Sequence, residues 1–341
     1  MIFEKKPVDS AFYETRIRDF LPDRIIDIHT HVYLSRFLSK SKLGPERNVT
    51  WPSRVATENP IEDLNEAYSL LFPGKKVTPL MFSSLADRAD DFEAANAYVS
   101  DAAIRFKYPC LLFARPDWNA ETLVQKLSSG PFKGIKVYLS LSDPGISDIT
   151  IYDFLPREQL EVADKKGLIV MLHIPRNARL KDPVNIAQMR EMDERYPDAK
   201  IIIAHVGRAY CNEDVGDALK ILSKTKNLLF DISANTNAWV FSRLLDAVGP
   251  KRVLFGSDLP ITRMRMKRIT ENGRYINLVP EGLYGDVSGD PNMREVAGPE
   301  SDRFTFFLYG EIASFLETGL SKKDLEDVFF NNANNILGGV K

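Results

Sequence analysis

Residues 167–205, GLIVMLHIPRNARLKDPVNIAQMREMDERYPDAKIIIAH, contain the unit that decides the fold. The runs GLIVMLH (167–173) and KIIIAH (200–205) are short, apolar and rich in β-branched residues, which is typical of strands buried on both faces of a parallel sheet. Between them, residues 184–196 carry apolar side chains at the spacing of an amphipathic helix. The stretch therefore predicts a strand–helix–strand unit in which a histidine lies at the C-terminal end of each strand.

The same alternation of apolar runs and helical patterns fills the chain. The other runs are RIIDIH (24–29), KVTPLMF (76–82), PCLLFA (109–114), GIKVYL (134–139), NLLFDI (227–232) and RVLFGS (252–257). The other helical patterns cover 87–106, 120–127, 155–166, 214–223 and 237–248, and two C-terminal helices are predicted at 302–318 and 321–337. Eight alternations predict an α/β fold, a (β/α)8 TIM barrel. A doubly wound open sheet is the main alternative, but no Gly-rich dinucleotide-binding turn follows the first strand.

Two segments are longer than the barrel repeat requires. Residues 32–75 follow the first strand and residues 259–301 follow the eighth, and both are rich in residues typical of loops. Long loops at the C-terminal ends of barrel strands usually build the wall of an active site. Mobile surface insertions are the alternative. We predict one barrel domain over residues 1–341, with a core of about 24–338.

Composition excludes several classes of protein. A formal net charge of -2 over 341 residues gives no basic excess for nucleic-acid binding. No apolar run approaches the roughly 18 residues that a membrane-spanning helix needs, and residues 1–10 lack the apolar core of a signal peptide. We therefore expect a cytoplasmic protein with a small-molecule substrate. Cys110 and Cys211 lie in or beside apolar runs and are predicted to be free, buried thiols, with a single disulfide as the alternative.

All four histidines come at the C-terminal ends of predicted strands, which form the catalytic face of a barrel. They are His29, His31, His173 and His205. The first two lie in IIDIHTH (25–31), and because alternate residues of a strand point to one side, their imidazoles are presented together.

Asp258 follows the eighth run and adds a carboxylate to the same face. A carboxylate there can ligate a metal ion and accept a proton. Nitrogen and oxygen ligands with one open position are typical of a catalytic site for zinc or a related divalent metal. Each residue alone has an ordinary structural explanation, as a packed histidine or a loop cap. The joint pattern of five such residues on four strand ends favours a metal site.

At this point the chain resembles the amidohydrolase superfamily, in particular the branch that includes aminocarboxymuconate-semialdehyde decarboxylase and related decarboxylases and hydrolases. The matching motifs are IIDIHTH (25–31), FKGIKVYL (132–139), LIVMLHIP (168–175), IIIAHVGR (201–208), VLFGSDLPI (253–261) and NNANNIL (331–337). In the last motif, Asn335 stands where that family commonly has arginine. The motifs span nearly the whole chain, and they are specific for the fold and the metal site but not for the substrate.

The resemblance implies roles for the strand-end residues. His29, His31, His173 and Asp258 would ligate one divalent metal ion, zinc or alternatively manganese. Asp258 would also accept the proton of metal-bound water. His205 would act beside the substrate as an acid/base or electrostatic group.

Lys136, in the fourth run, leaves the number of metal ions open. In other branches of the superfamily, a carbamylated lysine at this strand bridges two ions, and His205 would then ligate the second. A lysine after Gly-Ile also occurs in the single-metal branch, where it is not a bridge. We favour one ion, with Lys136 as a substrate-binding residue.

Arginines beyond the strand ends are candidates for binding an anionic substrate, because a guanidinium pairs with a carboxylate through two hydrogen bonds. Arg176 and Arg208 are the best candidates, since each follows a site histidine within three residues. Arg115, Arg263 and Arg265 are weaker ones. The alternative for each is a solvated or ion-paired surface.

Two reactions fit such a site. The main prediction is hydrolysis of an amide, ester or lactone, and the alternative is non-oxidative decarboxylation of an aromatic or muconate-type acid. A non-catalytic binder would be expected to have a broken ligand set, and a phosphoesterase of the histidinol-phosphatase type would need more metal ligands than four histidines allow. A homodimer is an open expectation, through the N-terminal arm or the two long segments.

Overall fold

The computed structural model describes residues 3–39, 51–143, 145–146 and 148–339, and it contains the predicted barrel. Eight parallel strands pair in chain order from β1 to β8. Their bounds are Arg24–His31 (β1), Lys76–Phe82 (β2), Cys110–Phe113 (β3), Phe132–Val137 (β4), Ile169–Leu172 (β5), Lys200–Ile203 (β6), Leu229–Asp231 (β7) and Val253–Leu254 (β8). Backbone hydrogen bonds from Ile28 to Phe255 (3.0 Å) and from His31 to Leu259 (2.9 Å) join the first strand to the end of the eighth. The sheet is therefore nearly closed.

Helices surround this sheet. Those of the barrel layer are Ile61–Leu71, Phe92–Phe106, Ala120–Leu127, Arg157–Lys166, Pro183–Arg195, Ala218–Leu222 and Ala238–Val248. The others are Pro7–Arg16, Trp51–Val55, Phe307–Leu316, Lys322–Glu326 and Asn332–Ile336, and a π-helical turn, Asp327–Asn331, joins the last two.

Burial explains why the strands read as continuous apolar runs. Ile28, Leu80, Leu111 and Met171 are buried in one cluster with residues of the C-terminal helix. Other residues of the same strands, such as Met81, Leu112 and Val170, belong to a larger cluster that packs under the surrounding helices. Each strand is thus covered on both faces, as the sequence pattern predicts.

Several predicted helix bounds were wrong. The pattern at 87–106 forms a helix only from Phe92, because the Asp91 carboxylate accepts the Ala94 N–H (3.0 Å) and caps the helix there. The pattern at 302–318 begins its helix at Phe307, since Thr305 and Phe306 pair with another strand. The pattern at 214–223 shortens to Ala218–Leu222.

The two long segments contain regular structure, which their loop-like composition did not predict. The helix Ile61–Leu71 buries Ile61, Leu64 and Leu71, so the second half of the first segment is the first helix of the barrel layer. The second segment forms β9 (Arg265–Glu271), β10 (Arg274–Pro280) and β11 (Met293–Val296), which with β12 (Thr305–Phe306) make a separate four-stranded sheet. Residues 40–50 of the first segment lie outside the described residues.

The N-terminal arm packs on its own chain. Tyr13 is fully buried and donates to the Pro73 carbonyl oxygen (3.0 Å), and Asp9 binds both terminal nitrogens of Arg265 (2.8 and 2.6 Å) at the start of β9. Cys110 and Cys211 are free and buried, which confirms that prediction. Within the described ranges, no helix combines the length and the apolar character that crossing a bilayer requires.

Candidate metal centre

β1 presents His29 and His31 at the C-terminal mouth of the barrel. The Nδ1 atom of His29 lies 2.8 Å from Oδ2 of Asp231, and Nδ1 of His31 lies 3.1 Å from the Ser83 carbonyl oxygen. Both partners accept hydrogen bonds only, so in each ring the proton sits on Nδ1 and the Nε2 lone pair is free. Nε2 of a neutral imidazole is the atom that a metal ion binds.

Asp258, which follows β8, lies beside these two histidines. Its Oδ1 atom lies 3.3 Å from Nε2 of His31 and 3.6 Å from Nε2 of His29. Its backbone N–H donates to the His29 carbonyl oxygen (2.8 Å), with φ at +58°. Gly256, two residues earlier, is required for this approach, because a Cβ there would lie 2.8 Å from Cβ of His29.

His173 and His205 complete the cluster. Their Nε2 atoms lie 2.8 Å apart, Nδ1 of His173 lies 2.8 Å from Nζ of Lys136, and Nδ1 of His205 lies 3.0 Å from the Ser233 carbonyl oxygen. His205 therefore also carries its proton on Nδ1, and it accepts at Nε2 from His173.

The backbone after β6 is strained where it positions His205. Residues His205, Val206, Gly207 and Arg208 all have φ between 50° and 62°, so they form one left-handed turn. Such a conformation costs about 1–2 kcal/mol per residue for side chains other than glycine. The turn is held by the His205 N–H, which donates to Oδ1 of Asp231 (2.8 Å). Strain of this kind is typical of functional sites.

Asp231 is the central residue that the sequence reasoning missed. It is fully buried; Oδ2 faces His29, while Oδ1 accepts from the backbone N–H groups of His205 and Ser233 and from the Ser233 hydroxyl. One carboxylate thus orients the imidazole of His29 and holds the backbone of His205. The available signal was its place in NLLFDI (227–232), where an acid closes the seventh apolar run in the way that histidines close the fifth and sixth.

Burial governs the electrostatics of the cluster. Desolvation lowers the pKa of His29, His173 and His205, so these rings are neutral at physiological pH. Burial by itself would raise the pKa of the two carboxyls. The His29 imidazole outweighs it at Asp231 and lowers that pKa to about 2. At Asp258, His31 and the neighbouring histidines hold the pKa well below its usual range. The site therefore combines neutral nitrogen ligands with ionised oxygen ligands.

These residues fit a divalent metal ion. Two groups whose ligand atoms lie within 4.8 Å of one another share His29: one adds His173 and His205, and the other adds His31 and Asp258. Nε2 of His29 is buried and has no hydrogen-bond partner in the described part of the chain. A buried nitrogen left unpaired carries a cost that metal ligation would remove.

The substrate-binding candidates lie in different surroundings. Lys136 is fully buried against His173, and burial lowers its pKa to about 7. Arg176 pairs through Nε with Asp182 (3.0 Å), and Nη1 of Arg208 points at the carbonyl oxygens of residues 174–176. Of the three, the structure brings only Lys136 into contact with the histidine cluster.

The weaker candidates are engaged elsewhere. Arg115 forms a paired contact with Asp117, Arg263 donates to the Val55 carbonyl oxygen, and Arg265 is the partner of Asp9.

Residues 26–339 match the family model described as Amidohydrolase. The chain belongs to the amidohydrolase family. Apart from the first two residues of β1, the match covers the strands of the barrel and all five strand-end residues, and it confirms the resemblance noted from the motifs. No curated protein sequence matches this family member significantly.

Solved structures share the fold at low sequence identity. A probable 2-pyrone-4,6-dicarboxylic acid hydrolase from Acinetobacter baumannii has a TM-score of 0.54 at 14% identity, covering 92% of this chain and 99% of its own. An amidohydrolase from Burkholderia multivorans with bound zinc has a TM-score of 0.57 at 13% identity, covering 93% and 99%. A dihydroxybenzoic acid decarboxylase from Polaromonas sp. JS666, with bound manganese and 2-nitroresorcinol, has a TM-score of 0.54 at 15% identity, covering 93% and 97%.

Proposed function

We propose that this family member is a metal-dependent hydrolase that acts on an amide, ester or lactone of a small anionic substrate. The observation that carries the proposal is the histidine cluster itself. Its tautomers direct the free Nε2 lone pairs of His29 and His31 toward the ionised carboxylate of Asp258, and Nε2 of His205 lies in the same cluster against His173. A packed set of structural histidines would have no reason to leave a buried Nε2 atom without a partner.

His29, His31, His173 and Asp258 are the proposed ligands of one divalent ion, zinc or alternatively manganese. When bound, such an ion lowers the pKa of a water molecule to about 7 and polarises a substrate oxygen. Zinc in the Burkholderia structure and manganese in the Polaromonas structure are consistent with either metal.

Lys136 bears on the number of ions. Ligation through Nε2 of His173 requires the ring proton on Nδ1, which faces Nζ of Lys136 at 2.8 Å. Nδ1–H of His173 then donates to Nζ of Lys136, so Lys136 must be a neutral amine. Its pKa of about 7 makes the neutral amine available near neutral pH. Nζ of Lys136 contacts the Nδ1 edge of the His173 ring, whereas the ligating atom Nε2 is on the opposite edge. This arrangement favours Lys136 as a residue that orients His173, rather than as a carbamate that bridges two ions. The bridged alternative would place a second ion on Lys136 and His205.

The chain's own groups supply the proton chemistry. Asp258 is ionised and borders the open side of the group, so it is the proposed acceptor of the proton from the attacking water. Nε2 of His205 lies beside His173 and carries a lone pair, so it would first take up, through Asp258, the proton released from the attacking water, and as an imidazolium it would stabilise the developing oxyanion and protonate the leaving group. Arg176 and Arg208 stay proposals for the substrate carboxylate, and each would first have to leave its present partner.

Decarboxylation is the second candidate, because the Polaromonas decarboxylase has the same fold at the same TM-score as the Acinetobacter hydrolase. The two reactions are separated by their products. A panel of lactones, esters and amides of small acids is compared with hydroxybenzoates and muconate-type acids, and release of CO2 is measured beside the appearance of a new carboxylate. Product acid without CO2 supports the hydrolase, and CO2 without product acid overturns it.

Metal content tests the premise of both reactions. Protein purified without added metal or chelator is measured by plasma mass spectrometry beside the double variant His29→Ala/His31→Ala. One zinc or manganese per chain that is lost in the variant is the expected result, and two per chain would favour the bridged arrangement. No metal in the parent protein, even after metal is added back, would refute the proposal. Asp193→Asn is the control, since this buried carboxylate accepts the backbone N–H groups of residues 226–228 and has no contact with the histidine cluster among the described residues.

A further inference from the structure

A cavity lies apart from the histidine cluster. It has a volume of about 700 Å³ and opens between the separate sheet, the segment Gly298–Arg303 and the helix Phe307–Leu316. Its apolar lining includes Met266, Phe304 and Phe306, which are at most 5% exposed. Cavities of about 300–1,000 Å³ with an apolar lining and a few polar groups are typical of small-molecule sites.

The charged residues of this cavity are mostly basic. Lys267, Arg268 and Arg303 line it, against a single acid, Glu300. Among the described residues, none of the three cations has a carboxylate oxygen within 4.0 Å. By contrast, Arg265 of the same sheet pairs with the carboxylate of Asp9. An apolar cavity with an unpaired positive rim favours an anion that carries an apolar body.

Arg268 is the group best placed to bind that anion. Its guanidinium stacks on Phe307 (4.5 Å) and Tyr275 (4.6 Å), Nε donates to Oδ1 of Asn277 (2.8 Å), and Nη1 donates to the Ala234 carbonyl oxygen (2.7 Å). Nη2 makes no hydrogen bond with any residue of the described ranges. Burial lowers the pKa of Arg268, so its charged form is incompletely compensated by its surroundings.

We propose that this cavity is a binding site for a small organic anion with a flat apolar body, such as an aromatic carboxylate or sulfonate. The anionic group binds Nη2 of Arg268, and the apolar body lies against Phe304 and Phe306. Arg268 and Thr236 also line an adjoining cavity of about 380 Å³ that contains Trp239, so a longer ligand has room to extend past the guanidinium.

The site is connected to the histidine cluster through Ala234. This residue has φ at +51°, and its peptide groups are held from two sides: Arg268 donates to its carbonyl oxygen, and Oε2 of the buried Glu311 accepts its N–H (2.7 Å). The preceding residue, Ser233, contacts Nδ1 of His205 through its carbonyl oxygen and its hydroxyl. An anion on Nη2 competes with the Ala234 carbonyl oxygen for the same guanidinium, and this changes the restraint on His205, whose Nε2 atom lies 2.8 Å from that of the proposed ligand His173. By linkage, anion and metal must then alter each other's affinity by the same factor.

Naphthalene-2-sulfonate is the anionic probe, and naphthalene-2-sulfonamide is its neutral counterpart of the same shape. Each is titrated by calorimetry into the metal-stripped full chain, which removes binding to a metal ion as an explanation. We expect one sulfonate per chain with a Kd below about 1 mM, and a Kd at least about tenfold higher for the sulfonamide. No heat in this range, or equal affinities, overturns the proposal.

Two variants locate the bound probe. Arg268→Gln removes the cation, and Gly310→Leu narrows the cavity while Arg268 keeps its charge; Gly310 lines the cavity and has room for a Cβ, whose neighbour within 4 Å is Thr236 at 3.6 Å. Both should raise the Kd of the sulfonate at least about tenfold. The control is Arg294→Gln, an exposed residue of the same sheet that pairs with Glu271, and it should leave the Kd unchanged. An unchanged Kd in Gly310→Leu overturns the proposed location even if Arg268→Gln fails to fold.

Two further measurements test what occupies the cavity and whether the cavity is coupled to the histidine cluster. Light scattering that shows a dimer dissociated by Gly310→Leu would identify a second copy of the chain as the occupant and overturn the anion site. The zinc Kd, measured with and without saturating sulfonate, should change about fivefold, which is the lower end of common coupling between sites. An unchanged zinc Kd overturns the connection through Ala234. None of these measurements depends on catalytic turnover, so they stand apart from the test of the hydrolase.

Discussion

Replacing Asp231 with asparagine exchanges one carboxylate oxygen for an amide NH2 group. The substitution tests whether Asp231 sets the tautomer in which His29 can ligate a metal ion. Oδ1 accepts three hydrogen bonds, so the asparagine keeps its oxygen there and turns its amide N–H2 toward Nδ1 of His29. Two donors then face each other. His29 relieves the conflict by moving its proton to Nε2, and that tautomer cannot ligate a metal through Nε2.

The expected loss is a factor of about 10–100 in metal affinity, the usual effect of removing the partner that orients a histidine ligand. This corresponds to about 1.4–2.8 kcal/mol. Zinc affinity is measured by competition with a chromophoric chelator on metal-stripped protein, and thermal unfolding is recorded on the same samples. The zinc Kd should rise, while the far-ultraviolet circular dichroism spectrum stays that of the parent.

Asp193→Asn is the matched control. Asp193 is also a buried carboxylate that accepts several backbone N–H groups, but it contacts residues 226–228, which precede β7 at the other end of the barrel. It should reduce stability without changing the zinc Kd. If Asp231→Asn raised the zinc Kd by less than about threefold, Asp231 would not control the tautomer of His29, and the reasoning would be refuted.

Two stability predictions follow from buried charges. Arg265→Met leaves the Asp9 carboxylate buried without its partner and should lower the free energy of unfolding by about 3–5 kcal/mol in urea titrations. Arg294→Met breaks an exposed pair and should lower it far less, and similar losses in the two variants would contradict this account. The second prediction concerns pH and the metal-stripped protein. Burial lowers the pKa of three histidines: His29, His173 and His205. Below about pH 6.5 the unfolded chain therefore takes up protons that the folded chain does not, so the free energy of unfolding should fall by about 1 kcal/mol or more per pH unit on acidification toward pH 5. Asp27, whose pKa burial raises to about 7, opposes part of this trend, and stability that is constant or rises on acidification would show that the histidines are not held neutral.

The barrel and most of its candidate metal centre were predictable because both depend on local patterns. A strand covered on both faces must be apolar throughout, and this requirement made all eight strands visible in the sequence. The C-terminal ends of parallel strands meet at one mouth, so His29, His173 and Asp258 could be expected to lie together without knowledge of any contact.

The helix ends and the long segments were harder to predict. The helix Ile61–Leu71 follows a stretch whose composition suggested a loop, and β9 to β12 are stabilised by pairing with one another rather than by burial in the barrel. Strand formation of this kind depends on partners that are distant in sequence, which makes it more dependent on context than helix formation.

Sequence alone determined which side chains reach the mouth of the barrel, because strand position and the alternation of side chains decide that locally. The tertiary structure decided how those side chains are held. Asp231 orients His29 across 202 positions of sequence, and Glu311 holds Ala234 across 77. It also decided that Arg208 turns toward backbone carbonyls, while Arg268, in a segment that reads as a loop, lines an apolar cavity. The physical reason is that hydrogen-bond partners and burial depend on the packing of distant segments, which a local pattern does not specify.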